Sequence, residues 1–303
     1  MADMESWGFG KFGEFTSKTH SEPYEATDPS LVKLPQPFVV CVVGASRGIG
    51  AGIATSYAKA GPTGLVLAAR TVPGLEETAA LCRKINPKVE IEIVPCDIIN
   101  PEDVANLADK TKAKFGGRLD VVVVNSGVSG PIEPKVTTTD PKDFQNAINV
   151  NYVGTFLSAK YLIPLLLSTE GGAKAFMAVS TLAVMIIRGP FANSTYTVSK
   201  AAQLKLMEKI HEEYSGEGLA AFSVHPGAVW TEMNASHTPE AFKPFFADSP
   251  DLCGSWCVWL TKDGSQKHWL SGRLVSASWD VDEVDAKKDE IVEKDLLKFK
   301  LVY

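Results

Sequence analysis

The chain has 303 residues, 45% of them apolar and 22% charged, a balance that excludes collagen-like, low-complexity and wholly disordered chains. Its 30 Lys and Arg against 36 Asp and Glu leave a formal charge of −6, which argues against a general binder of nucleic-acid backbones. Apolar runs such as residues 38–43 are far shorter than the ~20 residues needed to cross a bilayer. The start Met1-Ala2-Asp3-Met4-Glu5 has neither the basic nor the apolar part of a secretory signal, so a cytoplasmic protein without membrane contact is expected.

Residues 1–36, rich in Gly and Pro and without apolar periodicity, predict an extended N-terminal arm, with Phe12 and Tyr24 as candidate anchors. From residue 38 the pattern changes. Phe38-Val39-Val40-Cys41-Val42-Val43 reads as a strand buried on both faces. Strand patterns recur at 65–69, 89–96, 119–125, 175–180 and 219–225, alternating with helical patterns at 49–60, 74–84, 101–115, 143–167 and 195–214. Such alternation predicts βαβ units: an α/β, doubly wound Rossmann-type domain over 37–303 with a central parallel sheet of about seven strands. Residues 230–248 are expected to form a substrate loop, and 272–300 a last strand and helix. The five cysteines are odd in number and widely spaced. That is neither a disulfide framework nor a metal site, and no metal is expected.

Gly44-Ala45-Ser46-Arg47-Gly48-Ile49-Gly50 stands between the first strand and the first helix. Glycines here allow a tight turn and let a pyrophosphate sit on the helix N-terminus. The second strand ends Ala68-Ala69-Arg70 and has no carboxylate to accept a ribose 2′-hydroxyl. Arg70, with Arg47 in the glycine loop, suits a 2′-phosphate instead, so the expected cofactor is NADP(H). Tyr196 and Lys200 stand four apart and share one helix face. An ammonium beside a phenol would lower the phenol's pKa from about 10.

These motifs resemble the short-chain dehydrogenase/reductase family over residues 38–233. The glycine loop resembles T-G-x-x-x-G-I-G, with Val43 for the usual Thr. The resemblance implies that Asp97 contacts the adenine, and that Asn125-Ser126-Gly127 corresponds to N-A-G. It implies that Asn151 holds a water in the proton relay, and that Val229 and Thr231 of Pro226-Gly227-Ala228-Val229-Trp230-Thr231 border the nicotinamide. Lys160 falls where members often carry a basic residue. Tyr196 matches the family's acid–base residue, and Lys200 its partner. Both the arm and residues 270–280 look like those of many fungal members, which points toward fungal secondary metabolism.

Where the family's fifth strand ends Ser-Ser, this chain has Ser180-Thr181. The 15 residues from Thr181 to Tyr196 imply an insertion of about two residues. Thr181 is favoured as the hydroxyl that polarises the substrate oxygen, with Ser180 as the alternative; neighbouring strand residues face opposite ways, so one of them serves. Residues 182–188 (Val184, Met185, Ile186, Ile187) and 230–248 (Met233, Phe242, Phe245, Phe246) predict an apolar pocket. The resulting expectation is an NADP(H)-dependent carbonyl reductase or alcohol dehydrogenase acting on an apolar ketone, aldehyde or secondary alcohol. The alternatives are a degenerate member that binds nucleotide without turnover, and an NAD-linked alcohol dehydrogenase. The resemblance implies a homodimer or homotetramer through the helices at 143–167 and 195–214, where Ala202, Leu204, Leu206, Met207 and Ile210 offer an apolar side.

Overall fold

The computed structural model describes residues 14–132, 135–188, 193–235 and 240–301. Phe12 and the first part of the arm lie outside the described residues. Seven strands build one sheet: β1 (Val39–Val43), β2 (Gly64–Ala69), β3 (Glu90–Pro95), β4 (Val121–Val124), β5 (Ala175–Val179), β6 (Ala220–His225) and β7 (Arg273–Ser276). Their order is β3-β2-β1-β4-β5-β6-β7, and every pairing is parallel. The central strands are almost wholly buried, as continuous Val and Ala runs require when helices cover both faces. The chain leaves β3 and returns beside β1 as β4, so a crevice opens where the winding reverses.

Helices α1 (Gly48–Ala60), α2 (Val72–Ile85) and α8 (Pro250–Thr261) belong to one layer. The buried Tyr57 of α1 donates its hydroxyl to the Cys257 carbonyl of α8 at 3.0 Å. Helices α3 (Pro101–Lys114), α4 (Pro141–Ala147), α5 (Gly154–Ser168) and α6 (Ser194–Tyr214) follow the other face. Between α4 and α5 the backbone widens into a π turn over Ile148–Val153, a device that frees carbonyls from the regular ladder and recurs at functional sites. The whole run Pro141–Ser168 is long and apolar enough by length and composition alone to span a membrane, a test that the core helix of a globular fold also passes. More than half of its most apolar window is buried within the fold. Short helices α7 (Glu232–Ala235), α9 (Val281–Ala286) and α10 (Lys288–Glu293) complete the described elements. All five cysteines are free and buried.

The described part of the arm does not float. Ser17 gives its N–H and its hydroxyl to Glu283 at 2.6 and 2.7 Å. Thr19 forms an antiparallel bridge with Trp279, and the His20 N–H donates to Ser278 O at 2.8 Å. Tyr24 anchors the arm by accepting from the Val281 N–H at 2.7 Å. These bonds hold residues from the two ends of the chain side by side.

Candidate active site

A cleft of about 1110 Å³ opens along the carboxyl ends of the strands. At one end stands the glycine loop. Gly44 has φ +92°, and a Cβ there would lie 2.6 Å from Ser126 N. A Cβ on Gly50 would lie 1.9 Å from Gly44 O. No side chain fits at either position, so the loop backbone is free to approach a phosphate. Asn125 donates from Nδ2 to Gly44 O at 2.9 Å and staples the β4 end to the loop. Gly44, Ser46, Arg47, Gly48 and Ile49 line the cleft together with Asn125 and Asp97. Gly50 is buried at the start of α1.

Ala69 and Arg70 end β2 at the same wall, with no acidic side chain between them. Arg70 is exposed. Arg47 is paired through Nε with Glu232 at 3.2 Å, both side chains being well exposed. Glycine loop and helix N-terminus together fit the phosphates of a dinucleotide. Lys160 takes no part. It is exposed on α5, outside the cleft lining, with its amine 5.4 Å from the Tyr161 ring centre. Its position on a helix face turned to solvent accounts for the difference from the sequence expectation.

Tyr196, Thr181, Ser180 and Lys200 line the middle of the cleft. Burial raises the Tyr196 pKa to about 12, and the nearby Thr181 hydroxyl acts in the opposite direction. The Thr181 hydroxyl accepts from Ala183 N–H at 3.0 Å, which caps the turn Leu182–Met185. Ser180 Oγ is buried with no partner among the described residues. Of the two candidate hydroxyls, Thr181 is therefore the one that acts on the titration of the phenol.

Lys200 lines the cleft with Tyr196 and is held by partners the sequence did not reveal. Nζ donates to Val179 O at 2.8 Å and to Gln203 Oε1 at 3.1 Å, and burial lowers its pKa to about 7. Asn151 is fully buried, outside the cleft lining. Its side chain closes a two-way clamp on the β4 loop: Oδ1 accepts from Val128 N–H at 2.9 Å, and Nδ2 donates to Val128 O at 2.8 Å. A further bond runs to Ser199 Oγ at 2.9 Å. The side chain is thus committed to shaping the loop.

The other end of the cleft is lined by Leu182, Ile186, Trp230, Met233, Phe245 and Phe246. Trp230 and Phe246 meet edge to face, with ring centres 5.4 Å apart. Asp248 closes the substrate loop at its base: Oδ2 accepts from Ala228 N–H at 2.6 Å, and Val229 bridges Ala247. Val229 and Thr231 line the cleft beside this base. Met185 and Ile187 are exposed instead, and Val184 does not line the cleft, because the tight turn Leu182–Met185 brings Leu182 and Ile186 inward. The Phe242 side chain lies outside the described residues. Sequence reasoning missed three contributors here: His225, Ser278, and Thr19-His20-Ser21 of the arm. It also missed Gln203. The signal for Gln203 was present in Tyr196, Lys200 and Gln203, one polar stripe at helical spacing.

A family model described as short chain dehydrogenase matches residues 38–241. The chain is 38% identical over 305 residues to a protein named short chain dehydrogenase mpl6 from Monascus purpureus, covering 100% of both chains. It is 32% identical over 303 residues to short chain dehydrogenase pgmD from Aspergillus terreus, covering 97% of this chain and 95% of the relative. Among solved structures, an alcohol dehydrogenase from the archaeon Thermococcus sibiricus, complexed with 5-hydroxy-NADP, superposes with a TM-score of 0.68. The two are 25% identical, and the match covers 80% of this chain and 96% of the archaeal one.

Proposed function

We propose, from the premise that the chain belongs to the short-chain dehydrogenase family, that it is an NADP(H)-dependent carbonyl reductase acting on apolar ketones or aldehydes, or on secondary alcohols in reverse. The observation that carries this reading is that Thr181 and Tyr196 line the middle of one cleft with a phosphate-fitting loop at one end and aromatic side chains at the other. The solved relative bound to an NADP analogue and the guanidinium of Arg70 favour the phosphorylated dinucleotide.

Gly44, Ser46, Gly48 and Ile49 with the N-terminus of α1 would hold the pyrophosphate. Arg70, with Arg47, would hold the 2′-phosphate, and Asp97 the adenine. Val229 and Thr231 would border the nicotinamide. The bound cofactor supplies the hydride. Thr181 and Tyr196 orient the carbonyl oxygen and stabilise the charge that develops on it. Tyr196 gives that oxygen its proton. A phenol held up to about 12 by burial stays protonated at neutral pH, in the form a reductase needs. Asn151 supports the site by clamping Val128. The aromatic end excludes water and accepts the apolar body of the substrate.

NADPH oxidation followed at 340 nm over a panel of apolar ketones and aldehydes tests the reading; turnover with NADPH well above NADH is expected. Tight NADPH binding with no turnover across the panel would replace the reading with that of a nucleotide binder. We place the protein in the cytoplasm, in a fungal secondary-metabolic setting like that suggested by its named relatives, and as a homodimer or homotetramer. Of the side chains read in the sequence as the apolar side, Leu204, Met207 and Ile210 are buried in the core; the exposed Tyr152, Phe156 and Val198 on the π turn, α5 and α6 are the face we propose for assembly. Light scattering at micromolar concentration is expected to give at least twice the chain mass.

A further inference from the structure

Gln203 has no part in the chemistry above, yet it lies on the same side of α6 as Tyr196 and Lys200 and is fully buried. Its Oε1 accepts from Lys200 Nζ at 3.1 Å. Its Nε2 donates to the Asn151 carbonyl at 3.1 Å and to the Thr155 hydroxyl at 2.9 Å. Thr155 in turn donates to the Asn151 carbonyl at 2.8 Å. The amide has one workable orientation. Reversing it would turn an NH₂ toward the lysine amine and a carbonyl toward the Asn151 carbonyl, so both ends would clash in polarity.

A buried amide costs free energy unless its donors and acceptor are satisfied. Leu at this position would fill nearly the same space without that requirement. What Leu cannot do is accept from an ammonium. Nζ offers three donors; with Gln203 removed, Val179 O would be its remaining bonded acceptor in the protein.

We propose that Gln203 is a positioning residue for Lys200: its side-chain amide ties the lysine amine to the Asn151 carbonyl and Thr155, and so sets where that amine stands and how readily it is charged.

Burial alone brings the Lys200 pKa to about 7. No carboxylate or cation faces the amine among the described residues packed around it. The β4 loop offers Gly127, β5 offers Val179, and the π turn and α5 offer Asn151 and Thr155. Of the titratable groups that line its cleft, Tyr196 stands on its own helix and His225 on β6, while Glu14, His20, Arg47, Arg70, Cys96, Asp97, Glu232 and Asp248 stand on the arm, the β1–β3 ends and the substrate loop. The neutral Gln203 carbonyl is, with Val179 O, one of the two acceptors bonded to the amine, and it holds that amine without locking the charge on. The placement stands on geometry; only its consequence for turnover rests on the reductase reading.

The test uses the full chain labelled with [¹³Cε]lysine, the Lys200 signal being assigned by its loss in Lys200→Arg. NMR titration of the unmodified chain is expected to give a midpoint near 7. Gln203→Glu places a carboxylate where the amide was and is expected to raise the midpoint by at least about 1 pH unit. Gln203→Leu is expected to lower it. The pH profile of NADPH oxidation should move in the same directions. Lys200 midpoints in both variants equal to that of the unmodified chain would overturn the proposal, as would a midpoint near 10.5 in all three. Failure of both variants to fold, judged by circular dichroism, would make Gln203 a packing residue and equally overturn it. Shifted midpoints with no ketone reduced by any of the chains would leave the positioning role standing and sink the reductase reading.

Discussion

The two ends of the cleft are built in opposite ways. The cofactor end consists of short contiguous motifs, each placed at the end of the strand that precedes it: Gly44–Gly50 after β1, Arg70 after β2, Asp97 after β3 and Asn125 after β4. The other end is assembled from segments far apart in sequence. His20 of the arm stacks on Tyr24 with ring centres 3.5 Å apart, and its Nε2 meets Asp280 at 2.9 Å, 260 residues away. Ser21 O accepts from Ser249 N–H at 2.7 Å where α8 begins. A scaffold that reads a constant cofactor can use local backbone geometry. A wall that must fit one substrate can vary through loops and termini without disturbing the sheet.

Substitutions at the centre and at each end sharpen this contrast. The largest effect is expected where the ends meet. Tyr196→Phe should cost on the order of 10²–10⁴-fold in turnover, while NADPH affinity, measured by nicotinamide fluorescence, stays within a few-fold. Loss of both would mean that the phenol also organises the cofactor end. Next comes the hydroxyl pair. Thr181→Ala should cost about 10²-fold in kcat by removing a donor to the developing oxyanion, and Ser180→Ala far less, because its hydroxyl makes no bond to the phenol. A crippled Ser180→Ala beside an active Thr181→Ala would reverse their roles.

At the cofactor end, Arg70→Asp should weaken NADPH binding by about 2 kcal/mol through a lost charge-assisted contact and a new repulsion. NADH binding should be little changed. Equal affinity of the unmodified chain for NADH and NADPH would show that Arg70 and Arg47 do not read the 2′ position, Arg47 being held by Glu232 instead.

The same contrast explains what was legible in the sequence. The strands of the parallel sheet and the glycine loop follow from local pattern, because β-branched runs and turn glycines act within a few residues of themselves. Tyr196 and Lys200 were readable because four residues on a helix place two side chains on one face. What that spacing cannot say is which partner a long side chain takes. Lys200 turns toward Val179 O and Gln203, a choice made by tertiary neighbours on β5 and the π turn. Asn151 was recognised as a site residue, yet its clamp on Val128 needs the β4 loop and the π turn folded together. The arm's contribution to the cleft wall had no local signature at all, since it depends on Trp279 and Asp280 reaching the start of the chain.

The smallest expected effect concerns the substrate end and is read in stability. His225 ends β6, and Ser180 follows the β5 residue paired with Val224. Its Nδ1 is buried without a partner among the described residues, and burial lowers its pKa to about 4 from 6.5. The folded chain therefore takes up this proton only near pH 4, whereas the unfolded chain takes it up near 6.5. Between those values the unfolded state binds more protons, so stability must rise with pH. Above 6.5 the ring is neutral in both states and this contribution is constant. Acidification through that window should remove about 1 kcal/mol by pH 5.5. Titratable carboxylates change stability over the same range, so the informative quantity is a difference. Denaturant unfolding at pH 7.5 and 5.5 should show the unmodified chain losing about 1 kcal/mol more than His225→Gln, whose amide does not titrate. Equal losses would mean that the imidazole charges inside the fold at its ordinary pH. The substrate end would then be wetter than its aromatic lining implies, and the difference between the two ends of the cleft would lie in sequence distance alone.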